Sequence, residues 1–274
     1  DEQAAYADTY LDLTFGTAPV LGATGTIAIY KMDGTKVDEI KMEDPFLGSK
    51  GLYNSTKIDI IGLPTTGNSN RLRMVNYYPV TVSGNTVRIK PHYAVLEYDT
   101  EYYVTVDESV IAGDGFNGIA AGEWTFKTKS NAPSLSATTL TVDDDGVADF
   151  RTVQAAIDYA AKIGKDTKVT IEIRNGIYEE LLYVRGKNNL TLRGESRDGV
   201  IIRYDNCDAL NPGVGGTAVR PEFGAGNITD GGRPLFLIES AGGLRLENLT
   251  IENTHVKTGN GDQAEAVYFN STNS

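Results

Sequence analysis

The sequence predicts an all-β chain in two parts: a β-sandwich, then a coiled stack of short parallel strands entered through a single helix. Three observations carry this. Thirty Gly and fifteen Tyr against three Met favour turns and strands over helical bundles. In the first half, apolar residues alternate with polar ones between Gly-rich turns, the two-residue period of half-buried strands. In the second half, strand-like runs follow one another with no helical pattern between them. Parallel strands ordinarily need helical crossovers, and a coiling chain, a parallel β-helix, is the arrangement that avoids them.

In the first part Leu11, Leu13 and Phe15 alternate, and Ile27 and Ile29 lead to a turn at Asp33-Gly34. Val87 and Ile89 repeat the pattern, as do Tyr102, Val104 and Val106, and Trp124 with Phe126 closes it. Turns fall at Ser83-Gly84-Asn85 and Gly113-Asp114-Gly115. Short strands so punctuated predict a sandwich. Trp124, inside an alternating strand, is expected in the core and not as a sugar platform. His92, in Lys90-Pro91-His92-Tyr93, is expected at a loop or rim. The polar, Pro-containing run from Lys129 to Thr138 is the best boundary, giving domains 1–132 and 133–274.

After the boundary, Leu140-Thr141-Val142 reads as a strand and Asp143-Asp144-Asp145-Gly146 as a turn. That acidic run lacks the alternating Asp and terminal Glu of a calcium loop. Val153, Ala156, Ile157, Ala160 and Ala161 then make one apolar helix face. Asp149 or Thr152 can cap it, Gly164 can end it, and the helix can cover the first edge of the stack. Short strands follow around Ile171, Leu182, Leu190, Ile202, Leu235, Leu244, Leu249 and Val267. Asn189-Leu190-Thr191-Leu192 and Asn248-Leu249-Thr250-Ile251 echo each other, which predicts a recurring rung with Asn at its corner. Asp205 to Arg233 is Gly-rich and irregular and reads as a projecting loop, with Asp205, Asp208 and Asp230 as loop acids and His255 as a loop histidine.

Several function classes fall away. A net charge of −12 lacks the basic footprint of nucleic-acid binding and would repel a long polyanion. Cys207 is the single cysteine, so no internal disulfide forms. There is no Gly-x-Ser-x-Gly, no His/Cys group at zinc spacing and no phosphate-binding loop, so neither cofactor nor metal is expected. No apolar run reaches bilayer length. The N-terminal Asp1-Glu2-Gln3 has no export signal, so any such segment has been removed or left out.

Two resemblances sharpen this. Asn85-Thr86-Val87-Arg88-Ile89, then Leu96, then Thr100-Glu101-Tyr102-Tyr103-Val104-Thr105-Val106 and last Trp124-Thr125-Phe126-Lys127-Thr128 resemble, over roughly Tyr10 to Lys129, the bacterial Ig-like domains of surface-layer and polysaccharide-processing proteins, which implies a spacer or docking module. In the second part, Asp149-Phe150-Arg151-Thr152-Val153-Gln154-Ala155-Ala156-Ile157, then Gly176-Ile177-Tyr178-Glu179-Glu180, then Leu249-Thr250-Ile251-Glu252-Asn253 with Gln263-Ala264-Glu265-Ala266-Val267, resemble the N-terminal part of the pectin methylesterases (pectinesterases). These are carbohydrate esterases on a right-handed parallel β-helix.

That resemblance implies aspartyl esterase chemistry: one Asp attacks the methyl ester, another protonates methanol, an Arg orients the nucleophile and two Gln hold the oxyanion. Gln263 matches the first Gln, and a primary amide suits the task because it donates without titrating. Glu265 stands where many members have an aliphatic residue, on the same face as Gln263 by alternation. The family's remaining motifs fall past Ser274. This 274-residue stretch is therefore expected to be inactive, while its parent would be a secreted or cell-surface bacterial hydrolase acting on pectin. The raw strand edge after Phe269 is expected to promote self-association. The rival expectations are a calcium-dependent pectate lyase of similar architecture and a non-enzymatic surface or glycan-binding scaffold.

Overall fold

The computed structural model describes residues 4–46, 55–63, 71–213, 217–219, 227–230, 232–259 and 262–270, the side chains of 217–219 and 227–230 excepted. The chain is mostly β, with one α-helix among the described residues. It divides into two compact units. One comprises Asp1–Leu47, Leu52–Asp59 and Asn76–Ala132, and the other Gly48–Gly51, Ile60–Val75 and Pro133–Ser274.

In the first unit, Leu11–Thr14, Thr86–Ile89 and Val80–Ser83 form a three-stranded sheet. Ile119–Lys127, Glu101–Val106, Thr26–Lys31 and Lys36–Lys41 form a four-stranded one, and both are antiparallel. Alternation sends Ile27, Ile29, Val104 and Val106 from one sheet, and Leu11, Val87 and Ile89 from the other, into one shared core. Trp124, expected in the core, is half-buried and packs against it. Gly34 takes a left-handed φ of 88° in the hairpin joining Thr26–Lys31 to Lys36–Lys41.

His92 lies in a loop, as expected, and is half-buried and tied to the sheet. Its Nδ1 lies 2.6 Å from Asp38 Oδ1, and its backbone N–H donates to Asp38 Oδ2 at 2.9 Å. The Tyr77 ring meets its imidazole edge-on.

The second unit contains three parallel sheets. The first runs Thr139–Val142, Val169–Ile173, Leu190–Gly194, Arg245–Glu247; the second Gly176–Glu179, Val200–Tyr204, Thr250–Asn253; the third Leu182–Arg185, Pro234–Glu239, Glu265–Asn270. From Val169 onward the chain visits first, second and third sheets in that order, three times over. Side chains line up from circuit to circuit: Ile171 over Leu192 over Leu246, and Leu182 over Phe236 over Val267.

The Asn-Leu-Thr echo does not mark one repeated position. Asn189 enters the first sheet, whereas Asn248 leaves it. Both are left-handed, at φ 55° and 50°, so both are corners. The registers Thr191↔Arg245 and Arg193↔Glu247 set Asn189 against Gly243 and Gly194 against Asn248. Gly194 has to be glycine there, because a Cβ would lie 2.1 Å from the Asn248 carbonyl oxygen.

The helix Val153–Ile163 is capped by Thr152, whose Oγ1 accepts from Ala155 N–H, and it ends at Gly164. Its side chains seal the first circuit. Gln154 Nε2 donates to the Tyr183 carbonyl at 3.0 Å while its Oε1 accepts from Tyr183 N–H at 2.7 Å, as a neighbouring strand would. The buried Glu180 carboxylate accepts from Val153 N–H at 2.8 Å and Gln154 N–H at 2.9 Å, at the positive end of the helix. Tyr178, in the same Gly-x-Tyr-x-Glu segment, is buried and donates to the Arg174 carbonyl. This segment is therefore architectural. Glu180→Ala is expected to lower the unit's stability by about 2–3 kcal/mol, since a hydrogen bond to an ionised group contributes roughly 1.5–3 kcal/mol. Thermal unfolding with an unchanged midpoint would show that the helix end finds other acceptors.

Two features depart from the sequence expectation. The strand Arg71–Asn76, drawn from the N-terminal half, lies in a four-stranded sheet ordered Thr217–Val219, Asn227–Asp230, Arg71–Asn76, Ile58–Leu63. The Asp205-to-Arg233 segment is thus not simply a projecting loop, because it supplies two of those strands, one of them pairing parallel to Arg71–Asn76 through Thr229↔Arg73 and Asp230↔Met74. Arg73 is fully buried. Its guanidinium donates to the carbonyls of Leu182, Leu235, Gly232 and Pro234.

Candidate functional site

The register that pairs Tyr204 with Asn253 makes two successive circuits leave the second sheet at the same corner. Cys207 follows one exit, His255 the other, and Asp262 and Gln263 precede the third-sheet strand Glu265–Asn270. Asn253 ties these segments together. Its Nδ2 donates to the carbonyls of Asn206 at 2.8 Å and Glu265 at 2.9 Å, and its Oδ1 accepts from the backbone N–H of Asn206 and of His255. Beneath it, Asn206 is fully buried and donates to the Gly232 and Pro234 carbonyls, while Asn211 donates to Asn206 Oδ1.

Gln263 is exposed. Its backbone carbonyl accepts from Asp208 N–H at 2.8 Å, and among the described residues its side-chain amide makes no hydrogen bond. A held backbone beneath an unengaged amide leaves both N–H groups available to a ligand. Glu265 does not present a bare charge beside it. Arg233 Nε lies 2.8 and 2.9 Å from the two Glu265 oxygens, and Arg233 Nη1 lies 3.4 Å from Asp208 Oδ1. Hydrogen bonding to Glu265 holds the Arg233 guanidinium above its ordinary range. Asp208 also accepts from Gly213 N–H.

His255 sits between two acids. Nδ1 is 2.8 Å from Asp205 Oδ1 and Nε2 is 2.9 Å from Asp262 Oδ2. The two carboxylates, Asp262 first, raise the imidazole's pKa above its usual value, and His255 in turn lowers that of Asp262. Yet Nε2 is buried and, lying off the line to Asp262, carries no aligned hydrogen bond among the described residues. Cys207 is buried at the same corner. Sequence spacing gave no hint of this meeting, because almost a full circuit and its insertion separate Cys207 from His255.

The acidic run Asp143-Asp144-Asp145 is held by backbone N–H groups, local for Asp143 and from a later strand for Asp144. Asp143 Oδ1 accepts from the N–H groups of Asp145 and Gly146, and Asp144 Oδ2 from Ile177 N–H. No described helix is long and apolar enough to cross a membrane. The side chain of Asp230 lies outside the described set.

No family profile matches the chain, and no curated protein matches it in sequence. Among solved structures it is similar to a pectin methylesterase variant in complex with a hexasaccharide, at 27% identity and TM-score 0.35 over 47% of this chain and 38% of that one. It is also similar to the pectin methylesterase of Erwinia chrysanthemi, at 26% identity and TM-score 0.34 over the same shares. The catalytic domain of an alpha-1,3-glucanase in complex with nigerose follows, at 13% identity and TM-score 0.23 over 90% of this chain and 44% of that one. The chain thus spans 38% of the length of the pectin methylesterases it matches.

Proposed function

We propose that the second unit is the N-terminal part of a right-handed parallel β-helix esterase whose whole protein hydrolyses the methyl esters of galacturonan, releasing methanol, with Gln263 donating to the oxyanion. The observation that carries this is the exposed Gln263 amide on a fixed backbone just before a third-sheet strand. Ester hydrolysis develops negative charge on the carbonyl oxygen, and a pre-positioned neutral donor stabilises it at any working pH. The Gly-x-Tyr-x-Glu and Thr-Val-Gln-Ala-Ala-Ile segments fit the same reading, with Tyr178, Glu180 and Gln154 hydrogen-bonded into the first circuit. The first unit would be an Ig-like spacer or docking module, and the protein secreted or surface-bound, acting on pectin.

The test is methanol release from methylated pectin by a chain long enough to carry the family's later motifs. Gln263→Ala there is expected to lower turnover by roughly 10²–10³, the usual effect of losing one oxyanion donor. A change below about twofold removes Gln263 from the mechanism. Calcium-stimulated formation of unsaturated product would favour the lyase instead, and pectin binding without turnover the scaffold.

A further inference from the structure

Cys207, His255 and Asp262 have no part in that esterase reading, yet their donor atoms converge. One donor from each lies within 4.8 Å of the other two. A thiolate sulfur, an imidazole nitrogen and a carboxylate oxygen are the three donor types zinc accepts, at bond lengths of about 2.0–2.3 Å. Tetrahedral bonds of that length hold donors roughly 3.3–3.8 Å apart. Small side-chain adjustments would therefore close the cluster around an ion.

The surroundings of His255 fit a ligand. Asp205 Oδ1, 2.8 Å from Nδ1, is the carboxylate partner that turns the other imidazole nitrogen toward a metal. That other nitrogen, Nε2, is the buried atom without an aligned hydrogen bond. The Asp262 carboxylate is oriented in turn by Thr258, through N–H at 3.2 Å and Oγ1 at 3.4 Å. A Cys–His nucleophile would use the same groups, but the Cys207 residue is only 5% exposed, which bars a carbonyl carbon more effectively than a bare ion.

We infer that Cys207 Sγ, His255 Nε2 and the Asp262 carboxylate form a binding site for a zinc-class divalent cation, with Asp205 as the positioning residue. Three protein ligands leave a fourth position for water. The ion would pin the two second-sheet exits to the residue next to Gln263, and so stiffen this corner. The site stands whether or not Gln263 serves an esterase.

The experiment is titration of the reduced, chelator-treated 274-residue chain with Co²⁺ and then Zn²⁺. One Co²⁺ per chain is expected, with a near-ultraviolet sulfur-to-cobalt band and the strong visible bands of a four-coordinate ion, all bleached by equimolar Zn²⁺. Cys207→Ser should abolish the sulfur band, and His255→Gln should weaken zinc binding more than about 100-fold. Asp205→Asn should weaken it roughly 10–100-fold, the range for an outer-shell partner. A weak six-coordinate cobalt spectrum without a sulfur band overturns the site. So does zinc affinity unchanged by His255→Gln, which decides the matter even if Cys207→Ser fails to fold.

Discussion

Replacing Arg73 with Met is expected to destabilise the second unit by about 3 kcal/mol or more, measured by denaturant unfolding. The guanidinium is fully buried, and burial lowers its pKa to about 10 against the opposing pull of Tyr183 and Glu239. It therefore remains charged at neutral pH. Its acceptors include the backbone carbonyls of Leu182, Gly232, Pro234 and Leu235, which no substitution can make apolar. A buried ion pair can sometimes be exchanged for hydrophobic residues at little cost, because both partners leave together. Here only one partner can leave. Charge-assisted hydrogen bonds contribute roughly 1.5–3 kcal/mol each, and Asn206 also donates to the Gly232 and Pro234 carbonyls, which limits the loss to less than four times that figure. Arg73→Lys should recover part of the stability, since an ammonium offers three donors but no planar fork. A loss below about 1 kcal/mol for Arg73→Met would mean that water or a shifted side chain replaces the guanidinium.

That arginine marks the limit of what the sequence discloses. Local features were readable because their causes are local: the apolar helix face with Thr152 at its start and Gly164 at its end, the Asp33-Gly34 turn, the alternation that buries Val169, Ile171 and Ile173. Nothing in the sequence pattern singled out Arg73, between Leu72 and Met74, because its acceptors lie more than a hundred residues away in the chain. The echoed Asn-Leu-Thr identified two corners by composition and misassigned their equivalence, because stacking depends on register and register was not in the pattern. Motif resemblance singled out Gln263, whose exposure on a held backbone is compatible with donation to a ligand. The Cys207, His255 and Asp262 meeting was invisible for the opposite reason. A coil brings together residues one circuit apart, and the insertion within that circuit stretches their separation beyond any recognisable spacing.

His92 makes the first unit's stability depend on pH in the alkaline range. Burial alone would lower its pKa, but the hydrogen bond and charge of Asp38, with Asp59 nearby, outweigh burial and raise the value from 6.5 to about 9. A folded-state pKa above the unfolded one means the native state binds the proton more tightly. The stabilisation is complete below about pH 6.5 and is lost as the pH climbs through 9. The imidazole is 19% exposed and Asp38 only 5%, so solvent screens the pair little. At about 1.4 kcal/mol per pKa unit, the linked stability is about 3 kcal/mol. Denaturant unfolding should show a fall of that order between pH 6 and pH 10 that is absent from His92→Gln. Comparing slopes between the two proteins cancels the titration of Tyr and Lys residues common to both. Asp38→Asn should also flatten the slope, by returning the imidazole toward its ordinary value, and it should destabilise the unit at pH 6, where it leaves the backbone N–H of His92 and of Glu39 with a weaker acceptor. Parallel pH slopes in wild type and His92→Gln, or an NMR titration of His92 with a midpoint near 6.5, would refute the coupling.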